Sequence, residues 1–314
     1  WVTVPNTAVN MEAGTPYRLL VRGDRNTDLT QNAPPASNTI LRSTGALAYG
    51  SIPVTSGIAL EEGQYFFVGN PYQAAVSVEA LLTDDNENIN TNHYYLWDPQ
   101  LAGLNGRGAY TTVDLLDGGV NHDGSDANGY LQPGQAILLQ SNGGISSLLF
   151  KEEHKSVDQP PLTSTFLVPP AVISMQLYYR DAYDNGETPT DGLGITFSEG
   201  GNNGVDRMDA PKMGNLDENL ATFNSNSYFA IERRAYPENE EVIPLFINNY
   251  RKTEYVLSGR FSNPPEHTTA FLYDDYTGIY TALSDEAVVY RFHIDPDIPA
   301  TKLSDRFSIH FEVE

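Results

Sequence analysis

Apolar side chains recur at every second position in segment after segment of this chain. Tyr17, Leu19 and Val21 alternate with Arg18, Leu20 and Arg22. Ile173, Met175, Leu177 and Tyr179 alternate with Ser174, Gln176, Tyr178 and Arg180. Val288, Tyr290, Phe292 and Ile294 do the same, and so do Phe307, Ile309, Phe311 and Val313. A period of two sends successive side chains to opposite faces of an extended strand, so each segment reads as a strand with one buried face. Turn-forming clusters such as Gly118-Gly119, Asn142-Gly143-Gly144 and 200–204 separate the strands. Only 76–82 and 216–223 have spacing suited to a short helix. The expected fold is all-β, with two consecutive antiparallel β-sandwich domains of jelly-roll or Ig-like type. Prolines stiffen a connection and are excluded from central strands. The charged and proline-rich stretch 151–170, with Pro160-Pro161 and Pro169-Pro170, therefore divides the chain into units 1–157 and 158–314.

Charge and composition exclude whole classes of function. The chain carries 41 Asp+Glu against 18 Lys+Arg, a formal charge of -23. Phosphate backbones and anionic lipids are bound by clustered cations, so nucleic acid is not an expected partner. No apolar run approaches the ~18 residues of a membrane-spanning helix, so membrane insertion is not expected either. With no Cys there is no disulfide, thiolate metal site or thiol nucleophile. The first residue is Trp1, not Met, which reads as a piece of a longer, processed protein.

Catalytic signatures are equally sparse. The 6 histidines (His93, His122, His154, His267, His293 and His310) show none of the spacings of a zinc hydrolase. There is no G-x-S-x-G elbow and no glycine loop opening a helix. Close carboxylate pairs are inevitable among so many acids and identify no glycosidase. The expectation is a non-catalytic protein.

The acidic turns favour calcium, a hard cation that takes several oxygens from one loop. Three regions offer such oxygens. The first holds Asn121, Asp123, Ser125, Asp126 and Asn128; the second Asp181, Asp184, Asn185, Glu187 and Asp191; the third Asp206 and Asp209, with Asp217 or Glu218 as a further ligand. None has EF-hand spacing. The second and third are expected to converge at one end of the second unit, and Lys212 offers Asp206 or Asp209 an alternative salt bridge. Tyrosines at 94–95, 178–179, 183, 273, 276 and 280 could stack on sugar rings, which makes polysaccharide an alternative partner. In each adjacent Tyr pair, alternation buries one ring and exposes the other. Arg22-Gly23-Asp24 matches an integrin-read tripeptide, but Arg22 continues the first alternating strand, and the stretch is read as structural.

Several motifs occur in a recognisable order. The first unit carries Gly63-Gln64-Tyr65-Phe66-Phe67-Val68-Gly69-Asn70-Pro71-Tyr72, then Tyr95-Leu96-Trp97-Asp98-Pro99, then Leu131-Gln132-Pro133-Gly134-Gln135-Ala136. The second carries Asp191-Gly192-Leu193-Gly194-Ile195, Asp209-Ala210-Pro211-Lys212-Met213 and Phe271-Leu272-Tyr273-Asp274-Asp275. This order resembles the β-rich region near the C-terminus of Bacteroidota type IX secretion cargo and surface proteins, without the sorting domain that follows it there. The resemblance implies an extracellular structural or adhesive module, and the expected role is a stalk or fibre that self-associates, with other surface or secretion components, or copies of itself, as partners. A polysaccharide-binding module and an accessory domain of a larger secreted hydrolase are the alternatives. The motif residues themselves read as strand ends and turns, with Trp97 as an anchor of the first core.

Overall fold

The structure, a computed structural model, describes residues 10–18, 23–24, 26–28, 30, 44–84, 86–103, 106–117, 119–156 and 170–314. Most of the strand expected from Tyr17, Arg22 of the Arg-Gly-Asp tripeptide, and most of the connection between the units lie outside these residues. The described chain is nearly all β.

The first half contains β1 (Ile52–Gly69), β2 (Val76–Ser77), α1 (Val78–Thr83), β3 (Asn86–Glu87), β4 (His93–Asp98), β5 (Ala109–Asp114), β6 (Tyr130–Leu131) and β7 (Ala136–Phe150). Its main sheet runs β1-β7-β4-β5, with β3 also on β7, while β2 and β6 form a separate ladder. The long β1–β7 ribbon shifts register between Thr55 and Ala59 and again between Glu62 and Tyr65. Gly57 and Gly63 sit in these two intervals with φ of 73° and 84°, the conformation that lets an extra residue bulge out of a ladder. Phe66, Val68, Tyr94, Leu96, Ile137 and Leu139 from the sheet pack with Tyr72, Leu81 and Leu82 into one core.

Motif chemistry explains several turns. β1 stops at Gly69; Asn70 then accepts the Tyr72 N–H through Oδ1 and donates through Nδ2 to the carbonyls of Ala74 and Leu131. Pro133 and Gly134 turn the chain into β7, closed by the Gln135 N–H on Gln132 O. Asp98 Oδ1 accepts the Gln100 N–H at 2.9 Å and shapes the turn after β4. Trp97 departs from expectation. It is half-buried outside the core, edge-on to Tyr110 at 5.0 Å, because its neighbours Leu96 and Tyr94 take the core positions. The Tyr94-Tyr95 pair departs as well: both rings are buried. β4 lies between β7 and β5, and Tyr95 is covered on the face opposite Tyr94 by Tyr65 and His93. Tyr178 and Tyr179 are both partly buried.

The second half contains β8 (Ala171–Tyr179), α2 (Arg180–Asp184), β9 (Asp191–Ser198), β10 (Ala210–Pro211), β11 (Asn219–Asn224), β12 (Ser227–Ala235), β13 (Val242–Asn248), β14 (Glu254–Ser262), β15 (Thr268–Asp274), β16 (Ile279–Ala282), β17 (Val288–His293) and β18 (Phe307–Val313). They form one large sheet in the order β16-β15-β18-β13-β11-β12-β9-β8-β14-β17, with β10 on β12. The sheet curls until it is nearly a barrel. Inward side chains from opposite parts of the strand order meet, as Phe197 of β9 does Phe311 of β18 and Phe292 of β17 does Phe307. A polar clasp draws the two ends together. Asp274 accepts Nε and Nη2 of Arg306 at 2.8 and 2.6 Å and also the Tyr290 hydroxyl of β17 at 2.7 Å.

Two expectations need correction here. The pairing is not purely antiparallel, because β12 runs parallel to β9; the chain leaves β9, passes through β10 and β11, and re-enters beside β9 in the same direction. The segment expected to be helical at 216–223 instead contributes β11, whose Thr222 is paired with both β12 and β13. Pairing on two sides outweighs a local spacing that would suit a helix. The helix expected at 76–82 does form, as α1, capped by Ser77 Oγ on the Ala80 N–H, while Val76 and Ser77 pair as β2.

Candidate functional site

The densest concentration of polar chemistry lies where the two halves meet. Its centre is Asp191, the first residue of β9, with a fully buried side chain. Lys212, just after β10, reaches Asp191 Oδ1 with Nζ at 2.5 Å and is only 5% exposed. Asp191 Oδ2 accepts the backbone N–H of Leu220 at 2.5 Å. His122 arrives from the first half and places Nε2 2.9 Å from Oδ1, also with no exposed side-chain surface. Neither ring nitrogen of His122 has a well-directed hydrogen bond. Burial raises the Asp191 pKa against the pull of Lys212, and burial together with Lys212 holds that of His122 well below the ordinary imidazole range.

Around this centre the halves are joined by neutral hydrogen bonds. Asn121 accepts the Thr112 N–H through Oδ1 at 2.7 Å and donates to the Gly192 carbonyl at 2.9 Å. Gln176 of β8 donates to the Asn121 carbonyl and accepts the Asp123 N–H. Position 192 must be glycine, since a Cβ there would stand 2.3 Å from Asn121 O and 2.4 Å from Gln176 Oε1. To one side, Arg233 of β12 bonds both Asp114 and Asp117 of the first half at 2.6 and 2.5 Å. On the other, the Ala102 N–H reaches Pro189 O at 2.7 Å, and Arg107 pairs with Asp217.

Beside Arg107 opens a cleft of about 490 Å³ lined by Arg107, Tyr179, Asp181, Glu187, Asp217, Arg251 and Lys252. Its cations are answered within it: Arg107 and Arg251 by Asp217, and Lys252 by Asp181. The arginines hold the Asp217 carboxyl below the usual range. Under Tyr179 the buried Glu218 accepts the hydroxyls of Tyr179 and Tyr255 at 2.7 and 2.6 Å and the Arg251 N–H at 2.6 Å. Burial and the hydrogen bonds to Glu218 keep both phenols protonated far past neutrality. Glu218 is thus met by three donors beneath the cleft.

The residues proposed for calcium are placed as follows. Asn121 is the inter-half hydrogen-bonding residue just described, Asp123 contributes its backbone N–H, Asp126 is exposed, and Asn128 accepts the Tyr130 N–H. Asp181 holds Lys252, Asp184 faces Arg180 and Arg291, and Asn185 closes α2 with its N–H on Asp181 O. Asp206 accepts the Met208 N–H, and Asp209 accepts those of Arg233 and Asp206. Burial pushes the Asp209 pKa up to about 6. The second and third regions do not converge: no three of their carboxylates lie within ligand reach of one another. Among the described residues, the acid and imidazole groups that do are Asp84, Glu153 and His154, where Lys151 Nζ already sits 2.7 Å from Asp84. Lys212 pairs with Asp191 and with neither Asp206 nor Asp209.

Sequence reasoning passed over Arg107 and Arg233, weighed His122 only as a zinc ligand and read Gly192 only as part of a motif. Their roles exist only once residues tens of positions apart are brought together, and no local pattern marks them.

A family model described as a domain of unknown function, DUF8693, matches residues 1–311. The chain belongs to DUF8693. Because the match covers both halves, the junction is internal to the DUF8693 unit. No curated protein and no solved structure gives a significant match to this DUF8693 chain. Among its described residues, no helix is long and apolar enough to cross a membrane.

Proposed function

We propose that this DUF8693 chain is a rigid, non-catalytic structural or adhesive module of an exported surface protein, acting outside the cell. The observation that carries the reading is the junction. Arg233 of the second half bonds both Asp114 and Asp117 of the first there, with all three largely buried, so relative movement of the halves would strand those charges. Leaving a buried charge without its partner costs about 3–5 kcal/mol. A cleft whose cations are all paired supports a joint more than a reaction centre. The order of motifs, which resembles that of type IX secretion cargo, supports the extracellular setting, and two hydrophobic cores support two sandwich-like units. Spin labels on exposed β1 and β16 positions test rigidity: a single narrow distance distribution is expected, and a broad one would sink the proposal.

One observation favours a second reading, polysaccharide binding. Tyr273, Tyr280 and His310 cluster on the outer face of β15, β16 and β18, with the two Tyr rings 4.4 Å apart and Tyr280 55% exposed. Glycan-array binding that disappears in Tyr280→Ala would favour this reading over a purely structural role.

A further inference from the structure

Asp191 and Lys212 meet as a buried amine and carboxyl in direct contact. Nζ is 2.5 Å from Oδ1 within the buried junction. The carboxyl carbon is one C–O bond further on, so Nζ lies within about 3.7 Å of it. An ammonium carries three donors, yet Lys212 Nζ has a single hydrogen-bond acceptor among the described residues. A buried ion pair is stable only where additional hydrogen bonds satisfy its remaining donors. The Leu220 N–H and the unpartnered His122 Nε2 beside the pair offer the one donor and one acceptor that a secondary amide needs. We propose that Asp191 and Lys212 form an intramolecular amide cross-link after folding, with His122 as the catalytic proton carrier.

The step balances without an oxidant or cofactor. Moving one proton of the ion pair from Nζ to Oδ1 frees the amine lone pair and leaves the total number of protons unchanged. The Nζ lone pair forms a bond to Cγ, and the electrons of the C=O bond move onto Oδ2. The Leu220 N–H, 2.5 Å away, is the donor that stabilises that oxyanion. One Nζ proton passes to Nε2 of His122, which stands 2.9 Å from Oδ1 and delivers it there. The Cγ–Oδ1 bond then breaks, the carbonyl re-forms at Oδ2, and one water leaves. Enclosing both reactants replaces a bimolecular encounter, an advantage that reaches about 10⁵–10⁸ M in effective concentration. Because His122 comes from the first half, the bond forms only when the two halves are docked. The product ties the start of β9 to the segment after β10, a covalent staple in a chain without Cys.

The proposal is independent of the module's biological role, and mass spectrometry tests it directly. The folded full chain is expected to weigh one water less than its sequence. Trypsin should leave Lys212 uncut and yield a branched species joining residues 181–207 to 208–233. Lys212→Arg keeps a cation at the position but removes the amine nucleophile, and it is expected to show the full mass. His122→Gln is expected to accumulate the unlinked form. Asp191-Gly192 could also lose water by closing a succinimide, but that product leaves Lys212 cleavable and persists in Lys212→Arg. Full mass with cleavage after Lys212 in the folded native chain overturns the proposal, and so does a water loss that survives Lys212→Arg. Where Lys212→Arg fails to fold, the peptide map of the native chain decides by itself.

Discussion

His93 shows how burial converts one side chain into an acid sensitivity. It is almost fully enclosed, with Nε2 unpartnered. Burial, aided by the Arg233 charge, lowers its pKa to about 4 from 6.5. A folded-state pKa below the unfolded one means the unfolded chain binds the proton first. The contribution is therefore fully present above about pH 6.5 and is lost as pH falls towards 4, at up to about 1.4 kcal/mol per pH unit. Urea unfolding at pH 7 and pH 4.5 should show His93→Gln losing less stability on acidification than the native chain. Arg306 is the matching case for a fixed charge. It bonds Asp274 through two nitrogens, donates to the carbonyls of His293 and Thr301, and packs on Phe292, Phe307 and Tyr276. Arg306→Ala strands a buried carboxylate and should cost about 3–5 kcal/mol in denaturant unfolding. The residue scale is also where the sequence was least informative. Asp191 was read as a calcium ligand, and Lys212 was matched to the wrong acids, because the fold of the chain between them, 21 positions apart, decides which carboxylate it meets.

Elements were far more legible. In β8, Ile173, Met175 and Leu177 are all fully buried, and in β18 Phe307, Ile309 and Phe311 are too, as their alternation requires. Asn70-Pro71 and Pro133-Gly134 end and begin strands through local chemistry that sequence displays. Strand direction is different. The alternation in β9 and β12 would be the same whether they ran parallel or antiparallel, so the parallel pair had no local signature. Likewise Gln176 falls on the expected wet face of β8 but is buried, since that face docks on Asn121 of the first half. The close approach at β9 gives a prediction for this scale. Gly192→Ala should push the Asn121 segment off β9, and hydrogen exchange should speed up at the Asn121 and Asp123 amides while β15 and β18 stay protected.

At the scale of the whole molecule the junction decides cooperativity. Two separate hydrophobic cores would ordinarily melt as two units. Here His122, Asn121, Asp114 and Asp117 on one side are matched to Asp191, Gly192 and Arg233 on the other. Calorimetry of the native chain should therefore give one transition. Arg233→Ala leaves two acids facing each other without a cation, and should split that transition into two, with the first half melting earlier. The arrangement of the second half has a mechanical corollary. Ala171, where β8 begins, is paired with Phe197, and the Phe197 ring meets Phe311 near the end of β18. The chain thus enters and leaves the second half at the same end. Tension applied through Ala171 and Val313 would be resisted at that end by a few bonds taken in turn, while the body of the sheet hangs unloaded to one side. Such a unit holds its outer surfaces away from the line of pull, as a bracket does, and is poorly suited to serve as a link in that line.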